Sequence, residues 1–135
     1  MHPLIDTHTH LYDSGFDADR SHIIDRAAAA GVAAIITVSE TLEEARRNLD
    51  LADQYPALLP AAGLYPAHLD LKAAGEMRDF IRRHHQRLAA IGEVGLDFRL
   101  VEAHEKREIQ RQIFAGFVDL SIELDLPLNV HSRSA

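Results

Sequence analysis

Five short apolar runs alternate with four amphipathic stretches along these 135 residues, and no other feature narrows the fold as far. Residues 4–10 read as the first strand. Residues 21–30 predict a helix with Ile23, Ala27 and Ala30 on one stripe and Gly31 as its stop. Residues 32–38, a continuous run rich in Ile and Val, predict a strand buried on both faces. Thr41-Leu42-Glu43-Glu44 is a capping box. It opens a helix whose Leu42, Ala45, Leu49 and Ala52 follow the helical period, ended by Pro56. Residues 58–64 and 88–94 predict the third and fourth strands, on either side of a helix over 71–85. A long helix over 102–124 carries Ile109, Ile113, Phe117, Leu120 and Leu124 on one side, and Pro127 admits a fifth strand over 128–131.

Such alternation calls for a parallel sheet joined by right-handed crossovers. Two closures compete. An open doubly wound sheet usually carries a Gly-rich turn after its first strand, and Leu11-Tyr12-Asp13-Ser14-Gly15 has no such spacing. A (β/α)8 barrel of the TIM type instead sets its chemistry at the C-terminal ends of several strands. His10, Glu93 and His131 stand at such ends. The barrel is the expected class. A complete one takes roughly 250 residues, so residues 1–135 are expected to form a single partial domain of about five βα strands.

Strand alternation places Asp6, His8 and His10 on one face. Two imidazoles one pleat apart can meet at one metal ion, and His is the commonest metal-ligating side chain. Asp6 is expected below the pair, orienting one ring by a hydrogen bond. Glu93, in Gly92-Glu93-Val94-Gly95-Leu96-Asp97, brings a carboxylate to the end of the fourth strand, where it could bridge two dications. Asn129-Val130-His131-Ser132-Arg133 ends the fifth strand with a third imidazole and, one pleat on, an arginine suited to a phosphate oxygen.

Asp-Thr-His-Thr-His, Gly-Glu-Val-Gly-Leu-Asp and Val-His-Ser-Arg-Ser-Ala together resemble, in order and spacing, the TatD family of metal-dependent hydrolases. The resemblance covers essentially the whole chain. It implies a barrel of the metal-dependent hydrolase superfamily and divalent-metal-dependent hydrolysis of phosphodiesters, DNA ahead of RNA. It further implies two divalent ions (Zn, Mn or Mg), with His8 and His10 on one, His131 on the other and Glu93 between them. Where the family's third strand usually ends Gly-x-His-Pro-His, this chain reads Gly63-Leu64-Tyr65-Pro66-Ala67-His68. No role is carried onto Tyr65; His68 and Arg133 are expected to contact substrate. The family's further His ligand and its proton-handling aspartate belong to later strands. The chain is thus expected to be the N-terminal portion of such an enzyme, with little activity alone, with Ile5, Ile36, Val38 and Val130 beside an open interior, and with self-association through the unpaired strand edges that flank it.

Composition excludes several rivals. The absence of cysteine rules out a disulfide scaffold and any thiolate site, and suits the cytoplasm. The start, Met1-His2-Pro3-Leu4, lacks a signal-peptide pattern, and no apolar run is long enough for a membrane span. A net charge of −7 opposes a broad electrostatic grip on nucleic acid, so phosphate recognition must be local. An amidohydrolase acting on amides, lactones or bases often bridges its metals with a fourth-strand lysine; this chain offers Glu93 instead. A non-catalytic half-barrel that binds a partner is the other alternative. His2 is assigned to a terminus without a task, and His22, His84, His85 and His104 to outer helices. Arg82-Arg83 and Lys106-Arg107 read as solvated helix faces.

Overall fold

A computed structural model describes residues 3–135. Met1 and His2, with the assignments made for that start, lie outside the described residues. Five strands, β1 (Leu4–Thr9), β2 (Val32–Thr37), β3 (Leu58–Ala62), β4 (Ala90–Asp97) and β5 (Leu128–Arg133), alternate with four helices, α1 (Arg20–Ala29), α2 (Leu42–Gln54), α3 (Leu71–His84) and α4 (His104–Leu124). The strands form one parallel sheet in the order β1-β2-β3-β4-β5, as the alternation predicts.

The sheet curls. Asn129 on β5 donates its amide to the carbonyl of Thr7 on β1, although β1 and β5 are the two ends of the strand order. An open doubly wound sheet would keep these strands far apart, so this contact marks the barrel class. The helix-facing side carries the larger core: Met77, Phe80, Ile81, Ile91, Val94, Ile113, Phe117 and Leu120 pack between β4, α3 and α4. Inside the curl the residues are smaller, with Val38, Ala61 and Ala90 packed against Ile36.

Several boundaries move, and the shifts have local causes. β4 starts two residues late because a 3-10 turn, His85–Arg87, still holds Leu88, whose N–H donates to the His85 carbonyl. It then runs on to Asp97, since β5 itself extends to Arg133 and pairs with it in register. Gly95 makes this pairing possible: it sits at φ +147°, and any Cβ there would overlap the His131 carbonyl. β1 ends at Thr9, leaving His10 just past the strand. In β2 only Ile35 and Thr37 are buried, so the strand is not covered on both faces.

On α1 the buried positions are Arg20 and Ile24, with Ile23 and Ala27 only partly covered. Arg20 is tolerated inside because its guanidinium donates to the Leu11 carbonyl at 2.6 Å, the Asp13 carbonyl at 2.9 Å and the Asp17 carboxylate at 2.6 Å. Lys106-Arg107 is not wholly a solvated face either. Arg107 donates to the carbonyls of Phe98 and Val101 and lies 4.5 Å above the Phe98 ring, fastening the loop that follows Asp97. Val130, expected beside the interior, pairs with Val94 and shares its outer face, while Ile5 pairs with Ala34 on the inner face.

Candidate metal centre

The end of β2 sets the frame. The predicted capping box is present: Thr41 Oγ1 accepts from the Glu44 N–H, and Glu44 Oε2 accepts from the N–H groups of Glu40 and Thr41. Buried Asn48 on α2 donates to the carbonyls of Thr37 and Val38 and accepts from the Thr37 hydroxyl at 2.9 Å. That lock fixes Ser39 beyond the strand. Ser39 then spans β3 to reach β4, donating its N–H to the Gly92 carbonyl and accepting the Glu93 N–H at 3.0 Å. Glu93 is thereby held through both the carbonyl and the N–H of the Gly92–Glu93 peptide, with its side chain aimed into the curl and only 5% exposed.

His8 and His10 approach Glu93 from β1. Nε2 of each ring lies 3.7 Å from Glu93 Oε2. These three donor atoms lie within 4.8 Å of one another, close enough to share one ion, and at 3.7 Å neither nitrogen is hydrogen-bonded to the carboxylate. Their opposite nitrogens are occupied. His8 Nδ1 meets the Asn129 side-chain oxygen at 2.8 Å; an amide oxygen only accepts, so the proton sits on Nδ1 and the Nε2 lone pair faces Glu93. His10 Nδ1 lies 3.2 Å from the Tyr12 hydroxyl and 3.9 Å from Glu40 Oε1. Burial, then the Glu44 and Glu40 carboxylates, push the Tyr12 phenol well above its ordinary range, so it stays protonated. Burial likewise raises Glu40, and His10 opposes that shift.

The other oxygen of Glu93 serves β5. Oε1 lies 2.8 Å from His131 Nδ1, and His131 Nε2 lies 3.0 Å from Asp97 Oδ2. Asp97 is fully buried. Burial alone would raise its pKa, but the N–H groups of Leu100 and Arg99 and the His131 ring outweigh it and hold the carboxyl below the usual range. Tyr65 closes this side, its ring edge-on to His131 at 5.0 Å and its hydroxyl 3.4 Å from Asp97 Oδ2. Glu93 thus divides its two oxygens between the β1 histidines and the β5 histidine.

Of the residues expected at the site, the structure brings His8, His10, Glu93 and His131 together. Arg133 stands exposed two residues beyond His131 on the same side of β5. His68 is exposed at the rim, its ring 6.4 Å from Tyr65, beside a groove lined by Leu42, Leu64 and Ala73. His22, His84, His85 and His104 lie away from the cluster.

Asp6 does not do what its spacing suggests. Asp6 pairs with Ile35 and Thr9 with Thr37, so β1 carries one residue more than β2 over this stretch. Such a bulge breaks the two-residue alternation and re-aims a side chain, as bulges often do beside sites. Asp6 caps the His8 N–H at 3.2 Å, and Asn129 orients the ring instead. The sequence reading assigned no role to Asn129, Asp97 or Tyr65. Period-two spacing held a signal for the first two: Asn129 is two residues before His131, and Asp97 four after Glu93. Tyr12 and Glu40 lie in loops and left no such signal.

A curled parallel α/β sheet with imidazoles and a buried carboxylate converging at its strand ends is the arrangement in which proteins of the barrel class set their functional side chains. Comparison with known proteins narrows this. The sequence profile of the TatD related DNase family matches residues 5–135, and the chain belongs to that family. It is 36% identical to the deoxyribonuclease TATDN3 of Homo sapiens, covering 98% of this chain and 53% of the relative. It is 32% identical to the 3'-5' ssDNA/RNA exonuclease TatD of Escherichia fergusonii, covering 98% and 50%. The crystal structure of YjjV, a TatD homologue from Escherichia coli K12, superposes with a TM-score of 0.84 at 32% identity, over 97% of this chain and 51% of that one. The chain spans about half the length of these relatives. Among the described residues no helix is long and apolar enough to cross a membrane.

Proposed function

We propose that this chain carries the metal-binding part of a divalent-metal-dependent phosphodiesterase that acts on DNA in the cytoplasm, in one domain over residues 1–135. The observation that carries the proposal is the division of Glu93, with Oε2 3.7 Å from both β1 nitrogens and Oε1 2.8 Å from His131. A carboxylate so placed suits two adjacent ions, each with imidazole beside it. His8 and His10 would hold the first ion, His131 the second, and Glu93 both. Bound there, divalent ions polarise a phosphoryl oxygen and lower the pKa of water toward about 7. The donor set of imidazole and carboxylate suits Zn or Mn, and Mg less well.

The chain's own residues contribute orientation and charge. Asn129 and Tyr12 fix the β1 rings through their Nδ1 atoms, which keeps Nε2 directed at Glu93. Arg133, exposed at the mouth, offers a forked guanidinium to a phosphate oxygen. His68 lies farther out and suits the flanking nucleotide. The relatives' names favour DNA, one of them with RNA as well. Leu4 and Ile5 at the β1 edge are each 59% exposed, which favours self-association of this chain.

The test is calorimetric titration of Zn2+ and Mn2+ into the chain and its His8→Ala and Glu93→Gln variants, with labelled single-stranded DNA assayed in parallel and mass measured in solution. The expected result is tight binding by the parent that is lost in His8→Ala. Parent-like binding by both variants refutes the site.

A further inference from the structure

On a chain of net charge −7, a surface where cations outnumber carboxylates needs a reason. One lies away from the strand ends, where α2 and α3 pack side by side. A groove of about 350 Å3 opens there, walled by Arg46 of α2 and by Arg83, His84 and Arg87 at the foot of α3. Buried Leu49 and Phe80 form its floor, and Asp50 is the one carboxylate in its lining. None of these residues belongs to the metal cluster.

Cations at a helix C-terminus are usually explained by the macrodipole and by nearby acids. Arg82 fits that account: Nε and Nη2 each donate to Glu123 at 2.9 Å, and Nη1 lies 3.5 Å from Asp79. Arg83, which faces α2, does not. Its Nε donates to the Asp79 carbonyl at 3.2 Å, which ties the guanidinium to its own helix and leaves both terminal nitrogens open. Arg46 sits in the N-terminal half of α2, where the macrodipole gives a cation no support. Among the described residues neither Arg46 nor Arg83 forms an ion pair. Arg87 is held through Nη2 by Asp53 at 2.7 Å and the Leu49 carbonyl at 3.3 Å, so its Nε and Nη1 stay available. His84 packs on Phe80, ring centroids 4.5 Å apart. Two of the three guanidiniums are therefore fixed before any ligand arrives, which lowers the ordering cost of binding. The guanidinium fork matches phosphate oxygens, and the apolar floor keeps water from one side of such bonds.

We propose that this groove between α2 and α3 is a second phosphate site, in which Arg46 and Arg83, supported by Arg87, hold a non-scissile phosphate of a single-stranded nucleic acid. The proposal rests on the nucleic-acid part of the reading above and not on the metal centre. It supplies what the acidic net charge requires, a local grip on a strand, at a place remote from the chemistry.

The test uses the 135-residue chain in metal-free buffer with a chelator, so neither hydrolysis nor the metal centre enters the readout. Fluorescence anisotropy of a labelled single-stranded oligothymidylate gives affinity across a salt series for the parent, Arg46→Gln, Arg83→Gln and Arg82→Gln. The first two variants should bind about tenfold more weakly, the effect of one lost hydrogen bond between charged groups. Each should also flatten the slope of log K against log salt by about 0.7, the value for one phosphate contact on a single strand. Arg82→Gln removes the same charge one residue away and should keep the parent's affinity and slope. In 1H–15N spectra of the parent, the oligonucleotide should shift the amides of Arg46, Arg83 and Arg87.

Parent-like binding by Arg46→Gln and Arg83→Gln overturns the proposal, and so does an equal loss in Arg82→Gln, which would mean charge alone. Shifts at the groove with inorganic pyrophosphate but not with the oligonucleotide overturn it too, leaving a site for free anions. Should either variant lose its helical circular dichroism, the parent's spectra still decide.

Discussion

Asn129 ties the two ends of the sheet together, and replacing it separates two roles. Its Oδ1 accepts from His8 Nδ1 at 2.8 Å, and its Nδ2 donates to the Thr7 carbonyl. Asn129→Ala removes both. Each such hydrogen bond contributes about 0.5–1.5 kcal/mol net, and Asn129 is only half-buried, so water replaces part of the loss. The expected destabilisation is therefore about 1–2 kcal/mol, read as a lower urea midpoint. Freed from its acceptor, His8 can rotate or take the other tautomer. Loss of such an orienting partner costs about 10–100-fold in metal affinity. Asn129→Asp divides the effects, because it keeps an acceptor for His8 while removing the donor to Thr7. Its stability should fall, while Zn2+ affinity stays within a few-fold of the parent, since the ring keeps its partner. The assay pairs urea unfolding by circular dichroism with a chelator-competition titration of Zn2+. Parent-like affinity in Asn129→Ala, with the fold intact, would show that Asn129 does not hold the ring.

Three further outcomes follow from the same geometry. Asp6→Ala should leave Zn2+ affinity essentially at the parent value, because Asp6 reaches only the His8 N–H; a tenfold loss in the titration would restore it as an orienting residue. Glu93→Gln should lower bound metal per chain more than it lowers stability, which elemental analysis after dialysis against Mn2+ and a urea melt would measure; unchanged stoichiometry would make Glu93 a mere buried acid. Asn48→Ala should cost about 2–4 kcal/mol, because it strips three hydrogen bonds from fully buried groups at the β2 end. A loss below 0.5 kcal/mol in urea unfolding, roughly one weak hydrogen bond, would mean that water or relaxation replaces them.

The fold was legible because its main signals are local. The capping box at Thr41, the stop at Gly31 and the periodicity of α4 each act within a few residues, so the order of elements follows from the chain alone. The convergence of His8, His10, Glu93 and His131 was legible for a related reason: they stand at strand ends, and a parallel barrel brings all such ends to one side. What stayed hidden depends on contacts between distant strands. The β1 bulge that turns Asp6 away is set by pairing with β2, and no residue in Asp6-Thr7-His8 announces it. Tyr65 acquires its neighbours only when β3 and β5 come within reach of Asp97. Arg107, one of a pair of cations on a helix, gave no sign that carbonyls of the preceding loop would take it up.

The three imidazoles are held by three different kinds of tie, and this bears on how a metal couples to the fold. His8 depends on an amide from the opposite end of the sheet, His10 on a phenol in the loop after its own strand, and His131 on a buried carboxylate of the adjacent strand. Glu93 alone is fixed by backbone, through Ser39. The carboxylate is therefore the rigid centre, and the rings reach it through side chains that can be released one at a time. On the proposed reading, an ion shared by Glu93 and the β1 histidines would join the same two regions that Asn129 joins, β1 and the β4–β5 pair. Binding to the folded state alone stabilises it by RT ln(1 + [L]/Kd). Part of that free energy would hold the curl, so a bound metal and the Asn129 tether would favour the same closed arrangement of β1 and β5, and loss of either would weaken the other.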